Sequence, residues 1–259
     1  MRYSANLGFL YTDRPLPDAV RAAKAAGFDA VECHFPFDTP PDELKAALAE
    51  TGLRMLALNT WPGDRDAGEF GLCALPDRME DARREIGRAV DYAAAIGAEA
   101  VHVMAGRTGG GAAAEDAFRA NLRFACDAAA PRGLGILIEP INTRDAAGYH
   151  LSTTAHAERV LDAVGDDRLR ILFDCYHMQI MQGDLSASVE RLMPAIGHVQ
   201  IAAVPDRGEP DAGEVDYPWL MRRIEDLGYA GYVGAEYKPR GGPDATEAGL
   251  GWLGAFRAA

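Results

Sequence analysis

The feature that most constrains this chain is a repeated unit: an amphipathic run with helical spacing, a glycine, then a short segment rich in Val, Ile and Leu. Gly27, Gly52, Gly97, Gly133 and Gly228 stand at that junction, before apolar segments at 28–32, 53–59, 98–103, 134–139 and 229–236. A glycine there supplies the left-handed backbone that closes a helix. Further apolar runs at 3–9, 169–173 and 196–201 bring the strand count to eight, each followed by a segment able to form a helix. Strands that alternate with helices pair in parallel, because a parallel neighbour is reached only through a crossover. Eight such units in 259 residues, with no linker or composition shift between them, are expected to close into an α/β fold of one domain, a (β/α)8 TIM barrel over 1–259. An open doubly wound sheet is the alternative.

Local signals sharpen this outline. From Met79 the apolar residues fall at Ala82, Ile86, Ala89, Ala93 and Ile96, with Glu80, Asp81, Arg83, Arg84, Arg88 and Asp91 between them, the pattern of a helix that covers a sheet on one side. Thr39 before Pro40, Ser152 before Thr153 and Asp216 before Tyr217 read as helix N-caps. The run G-R-T-G-G-G at 106–111 matches neither a dinucleotide fingerprint nor a phosphate loop, so a flexible loop after the fourth strand is expected.

Charge and cysteine usage exclude several functions. Lys plus Arg is 26 against 39 for Asp plus Glu, a net charge of −13, which repels phosphate backbones, so no nucleic-acid partner is expected. The longest stretch without a charged residue, 192–205, contains Pro194 and Gly197, so no membrane span is expected. The first ten residues lack a continuous apolar run, which points to a cytoplasmic location. Cys33, Cys73, Cys126 and Cys175 form no C-x-x-C pair and are expected to be reduced, mostly buried, apolar side chains. A homo-oligomer is compatible with the residues but is not read from them.

In a barrel, chemistry sits at the C-terminal strand ends, and here those positions are polar: Asn6, Glu32, Asn59, His102, Glu139, Asp174, Gln200 and Glu236. Glu139, Asp174, Gln200 and Glu236 follow one another at about one βα unit each, which places them side by side around the rim. Three carboxylates and an amide oxygen form a hard, oxygen-only set that suits Mg²⁺ or Mn²⁺. The bland alternative is that each residue only anchors its own loop. His177, three residues past Asp174, is within reach of the rim as a substrate hydrogen-bond partner, and His102 is a weaker candidate of the same kind. His34, His150, His156 and His198 read as locally satisfied.

The segments I-L-I-E-P-I-N (136–142), F-D-C-Y-H-M-Q (173–179), H-V-Q-I-A (198–202), V-P-D-R-G-E-P (204–210), G-A-E-Y-K-P (234–239) and A-G-L-G-W-L (248–253) resemble the hydroxypyruvate isomerase family. That family belongs to the xylose-isomerase-like barrels, and the resemblance runs over essentially the whole chain. It implies a divalent metal held by Glu139, Asp174, Gln200 and Glu236, with Glu139 and Glu236 also forming the catalytic proton-transfer pair. Related ketose 3-epimerases and apurinic endonucleases usually carry His at the position of Gln200, so the glutamine points to the isomerase branch. The implied reaction interconverts hydroxypyruvate and tartronate semialdehyde, or a close 2-oxo acid such as 2-oxo-tetronate. Such a small hydroxy-keto acid carries a carboxylate that needs a cation, and Arg207 and Lys238 are the basic residues nearest the rim in sequence. A metal-dependent ketose 3-epimerase or inosose dehydratase would use the same barrel with a polyol. A metal-dependent phosphodiesterase is disfavoured by the charge.

Overall fold

The structure, a computed structural model, describes residues 1–258; Ala259 lies outside the described residues. Eight strands pair in sequence order, all parallel, and close on themselves. They are β1 (Arg2–Asn6), β2 (Ala30–Cys33), β3 (Arg54–Asn59), β4 (Ala100–His102), β5 (Gly135–Ile138), β6 (Leu169–Asp174), β7 (Ile196–Ile201) and β8 (Tyr232–Ala235). The crossovers are α1 (Leu16–Ala25), α2 (Pro41–Thr51), α3 (Met79–Ile96), α4 (Ala112–Ala129), α5 (Thr154–Val164), then both α6 (Cys175–Met181) and α7 (Leu185–Leu192), and α8 (Tyr217–Asp226); α9 (Gly251–Ala258) follows the last strand. The expected closed barrel is therefore the observed architecture, and the open sheet is not. No helix among the described residues is long and apolar enough to cross a membrane.

Strand and cap boundaries differ locally from expectation, each for a visible reason. The first strand stops at Asn6 rather than running to residue 9, because the Asn6 side-chain oxygen accepts the Gly8 N–H at 2.9 Å and its carbonyl accepts the Leu10 N–H at 2.9 Å, which turns the chain. Thr39 does not cap α2, which starts at Pro41 with Pro40 at the cap and no side-chain bond there. The Thr39 carbonyl instead accepts the Tyr92 hydroxyl. Thr153 rather than Ser152 caps α5, accepting the His156 N–H at 3.2 Å, while Asp216 caps α8 as expected. The glycine-rich run after β4 is not loose throughout. Gly106 packs on Gly71, where a Cβ would meet the Gly71 carbonyl oxygen at 2.4 Å.

The period-two alternation of the strands divides the core. Tyr3, Val31, Leu58, Val101, Ile136, Phe173, Val199 and Val233 face the helices in one large cluster, while Ala57, Ala100, Leu137 and Leu172 form a separate apolar layer inside the barrel. Above that layer the inward positions are polar and buried, among them Asn6, Glu32, His102, Asp174 and Gln200. The four cysteines are buried and unpaired.

One glycine makes the polar layer possible. A Cβ on Gly234 would sit 2.2 Å from Glu32 Oε1 and 2.9 Å from Gln200 Cγ, so the missing side chain is the space through which Glu32 reaches across the barrel. Gly234→Ala is expected to destabilise the fold by about 1–3 kcal/mol through overpacking. Urea denaturation measures this directly, and an unchanged midpoint would show that Glu32 does not occupy that space.

Candidate active site

Glu139 and Glu236 follow β5 and β8 by one residue, and Asp174 and Gln200 lie on β6 and β7. The barrel brings the acids together: one ligand atom from each of Glu139, Asp174, His177 and Glu236 lies within 4.8 Å of the others. All are buried. Gln200 stands beside Asp174 and Gly234 in the strand register, and its amide donates to Glu32 Oε1 at 3.2 Å. That bond fixes which end of the amide is oxygen and leaves Gln200 Oε1 buried without a hydrogen-bond partner. Glu139 Oε1 and Asp174 Oδ2 are also buried with no hydrogen-bond partner among the described residues.

The four groups are not electrically alike. Glu236 accepts from Asn6 Nδ2 at 3.1 Å, His34 Nε2 at 3.1 Å and Arg207 Nη2 at 2.5 Å. Burial opposes its charged form, but Arg207 and His34 outweigh that and hold the carboxyl well below its usual range. Glu139 has no such support: burial, then the charges of Glu236 and Asp174, push its carboxyl well up. Burial also raises Asp174, against Arg207 and the Tyr176 N–H at 2.8 Å.

This arrangement fits a divalent cation. Three buried oxygens without donors and two carboxyls driven toward protonation are costly alone, and a hard cation compensates both at once. The nearest cationic side chain, Arg207, is committed to Glu236 and stands 3.6 Å from Asp174.

His177 belongs to this site in a different capacity. Its Nδ1 faces two donors, the Asn142 side-chain nitrogen at 2.6 Å and the Asn142 backbone N–H at 3.3 Å. A backbone N–H cannot accept, so Nδ1 accepts. Arg207 Nη2, which can only donate, also faces Nε2 at 3.2 Å, but the two Asn142 donors at Nδ1 and the two carboxylates beside Nε2 place the single proton of the neutral ring on Nε2. Burial, then Arg207, holds the ring's pKa well down and keeps it neutral. The Nε2–H lies 3.5 Å from both Glu139 Oε1 and Asp174 Oδ2 and 3.2 Å from Arg207 Nη2. Two donors thus converge on the space in front of the acids, which suits a substrate oxygen better than a metal.

A cavity of about 180 Å³ opens above these groups. His102 lines it, with Nδ1 3.3 Å from Asn59 Oδ1 and 3.7 Å from Glu139 Oε2, and Nε2 buried without a partner. Arg207 lines it too, its guanidinium 5.0 Å from the ring centres of both Phe9 and Tyr176. Lys238 does not reach the cavity: it is exposed and absent from the lining, and its backbone N–H is bound to the Arg207 carbonyl. The expected second cation is therefore not at the site.

His34 corrects its sequence reading, since it lines the cavity and bonds Glu236 instead of being satisfied nearby. Gly8 permits this, because a Cβ there would meet the His34 ring at 2.2 Å. His198 is satisfied, but across the barrel, by Glu32 Oε2 at 2.5 Å. His150 and His156 bond Glu115. Asn142 and Asp145, on the loop after β5, were missed. Their only signal was the N of I-L-I-E-P-I-N, three residues past Glu139.

The chain as a whole has known counterparts. The sequence profile of the family described as Xylose isomerase-like TIM barrel matches residues 20–256, and the chain belongs to that family. It is 46% identical over 255 residues to the 2-oxo-tetronate isomerase of Cupriavidus necator, covering 97% of each chain. It is 39% identical over 260 residues to the hydroxypyruvate isomerase of Escherichia coli, covering 99% of this chain and 100% of that one. A solved structure named AP endonuclease, family 2, from Brucella melitensis superposes with a TM-score of 0.93 at 40% identity over 98% of both chains.

The tautomer of His177 is directly measurable. Long-range proton–nitrogen NMR is expected to show the proton on Nε2 in the metal-free protein, and a proton on Nδ1 would remove the donor role argued from Asn142.

Proposed function

We propose that the protein is an aldose–ketose type isomerase that interconverts hydroxypyruvate and tartronate semialdehyde, or the corresponding 2-oxo-tetronate pair, with Mg²⁺ or Mn²⁺ as cofactor. The observation that carries the reading is the set of three buried, donorless oxygens, Glu139 Oε1, Asp174 Oδ2 and Gln200 Oε1, next to a fully hydrogen-bonded Glu236. The names of the relatives from Cupriavidus necator and Escherichia coli support the substrate class. Glu139, Asp174, Gln200 and Glu236 would hold the cation. When bound, it would supply Lewis-acid stabilisation of the enediolate.

The reaction moves a proton from C3 to C2 while carbonyl and hydroxyl exchange places. Two carboxyl groups on either side of the substrate suit it. Glu236, held charged by Arg207 and His34, is the group that takes the proton from C3, Glu139 is its partner that delivers one to C2, and the O3 proton passes to O2 so that the hydrogens balance. Arg207 joins this to binding. Drawn toward the substrate carboxylate, its guanidinium gives less to Glu236, whose basicity rises as the substrate arrives. The His177 Nε2–H orients a substrate oxygen. A cavity of about 180 Å³ is below the roughly 300–1,000 Å³ typical of drug-sized sites and suits a chain of three or four carbons better than a ketohexose. The net charge of −13 speaks against a nucleic-acid substrate. Four unpaired, buried cysteines suit a cytoplasmic enzyme.

The test is an assay of chelator-stripped and metal-restored protein against hydroxypyruvate, 2-oxo-tetronate and neutral ketohexoses. Activity is expected only with Mg²⁺ or Mn²⁺ and only on the acids, and a preference for ketohexoses would move the protein to the epimerases. Metal at about 100 times its Kd should stabilise the fold by about 2.7 kcal/mol, visible as a higher Tm.

Substitutions separate the roles. Glu139→Gln and Glu236→Gln should each lower kcat by roughly 10²–10⁴, the span of general acid–base catalysis. In deuterated water, solvent deuterium should appear on the product carbon; its absence, with internal return excluded, would favour a hydride shift. Arg207→Ala should raise KM and also lower kcat, because it strips Glu236 as well as the substrate of a partner. Lys238→Ala should change neither by more than about twofold, and a large KM effect there would put the exposed lysine back in the site.

A further inference from the structure

Outside the barrel mouth, three side chains converge from three segments of the chain. Glu115 lies in the first turn of α4, His150 on the loop between β5 and α5, and His156 in the first turn of α5. Glu115 Oε2 is 3.0 Å from His150 Nε2 and 2.8 Å from His156 Nε2, and the three ligand atoms all lie within 4.8 Å of one another. The side chains are 19%, 4% and 18% exposed, sheltered yet open to a small ion.

We propose that Glu115, His150 and His156 form a second cation site of zinc type, separate from the acid cluster at the rim. The donor set argues for the class of ion. Two imidazole nitrogens and one carboxylate oxygen suit Zn²⁺ and similar borderline metals, with the fourth position open to water, whereas the oxygen-rich rim suits Mg²⁺ or Mn²⁺. Zinc bonds of about 2.0–2.2 Å in a tetrahedron separate ligand atoms by roughly 3.3 Å, so the distances of 3.0 and 2.8 Å from Glu115 Oε2 to the two rings need to open by only a few tenths of an ångström.

The surroundings supply the outer support that metal ligands normally have. His150 Nδ1 lies 3.1 Å from Thr108 Oγ1, which fixes the ring and can accept Nδ1–H, freeing Nε2 as a ligand. Arg119 pairs with Glu115 Oε1 at 2.6 Å, leaving Oε2 for the ion. Phe118 stands edge-on to His150, the ring centres 5.4 Å apart. Burial also holds the His150 ring below its usual pKa and so in its neutral, ligating form. Without a cation each Nε2–H bonds Glu115 Oε2, so binding at Nε2 moves the proton of a neutral ring to its Nδ1, and it is weaker at low pH, where an imidazolium must first lose a proton.

The site's place in the fold gives it a consequence. The His150 backbone N–H binds the Gly106 carbonyl at 2.8 Å and the Thr108 N–H binds the Gly148 carbonyl at 2.9 Å. A cation there would clamp the loops after β4 and β5 to α4 and α5, and the β5 loop carries the Asn142 that orients His177.

The experiment uses the full chain stripped with a chelator, with Asp174→Asn and Glu236→Gln introduced to disable the rim. Zn²⁺ is titrated by calorimetry, and Co²⁺ serves as an optical probe of tetrahedral coordination. One Zn²⁺ per chain and a Co²⁺ spectrum of tetrahedral type are expected. Adding His150→Gln, His156→Gln or Glu115→Gln, each confirmed as folded by circular dichroism, should weaken binding by roughly 100-fold or more. Absence of Zn²⁺ binding to the folded rim variant would overturn the proposal. Binding that persists unchanged in the three additional variants would overturn it equally.

Discussion

The carboxylate of Glu32, buried inside the barrel, is the interaction on which the rim depends. A lone carboxylate taken out of water costs several kcal/mol, which the interior must offset with donors. Here His198 supplies one at 2.5 Å, Gln200 one at 3.2 Å and Asn6 one at 3.4 Å. Each bond fixes something beyond Glu32 itself. The Gln200 bond turns its amide oxygen to the acid cluster, and the Asn6 amide is shared with Glu236 at 3.1 Å. Gly234, lacking a side chain, leaves volume that this network occupies. The geometry of the site is thus set one layer below it.

Above that layer the organising force is unequal compensation of like charges. Carboxylates crowded in low dielectric cannot all ionise freely. Arg207 and then His34 resolve the competition in favour of Glu236 and leave Glu139 against its neighbours. Arg207 can do this because its backbone is held on both sides, by the Ala203 carbonyl at 2.8 Å and the Lys238 N–H at 2.7 Å, in a left-handed conformation with φ 57°. Such a conformation costs a side-chain-bearing residue about 1–2 kcal/mol. Its persistence implies that the surrounding contacts determine it.

The barrel was legible because its signals are local and repeat: periodic apolar faces, and glycines where helices end, as at Gly52 and Gly97 with φ 67° and 73°. Helix α3 matches its apolar spacing from Met79 to Ile96. Cap positions slipped by one where two hydroxyl residues stand in a row, as at Ser152 and Thr153, because sequence does not say which of two equivalent side chains turns toward the helix. The rim acids were legible for a topological reason, since a closed barrel makes successive strand ends neighbours. His34 was not, because its partner Glu236 stands 202 positions away in the chain, and only closure of β8 onto β1 brings them together. Lys238 shows the converse: nearness in sequence to a site residue says nothing about side-chain direction just past a strand end, where the alternation of the pleat no longer applies.

Charge balance at the rim bears on the order in which the proposed reaction assembles. Glu139, Asp174 and Glu236 face a single guanidinium, so a substrate carboxylate approaching the bare cluster adds a further negative charge to a region of low dielectric. Binding a dication to the acids removes that repulsion and leaves Arg207 able to turn part of its fork toward the substrate. The Arg207 Nε, buried and without a partner, is a donor in reserve for that turn. The electrostatics therefore favour cation before substrate. They also explain why one arginine suffices where sequence proximity suggested an arginine and a lysine: once the acids are compensated, the substrate brings only one charge to be met.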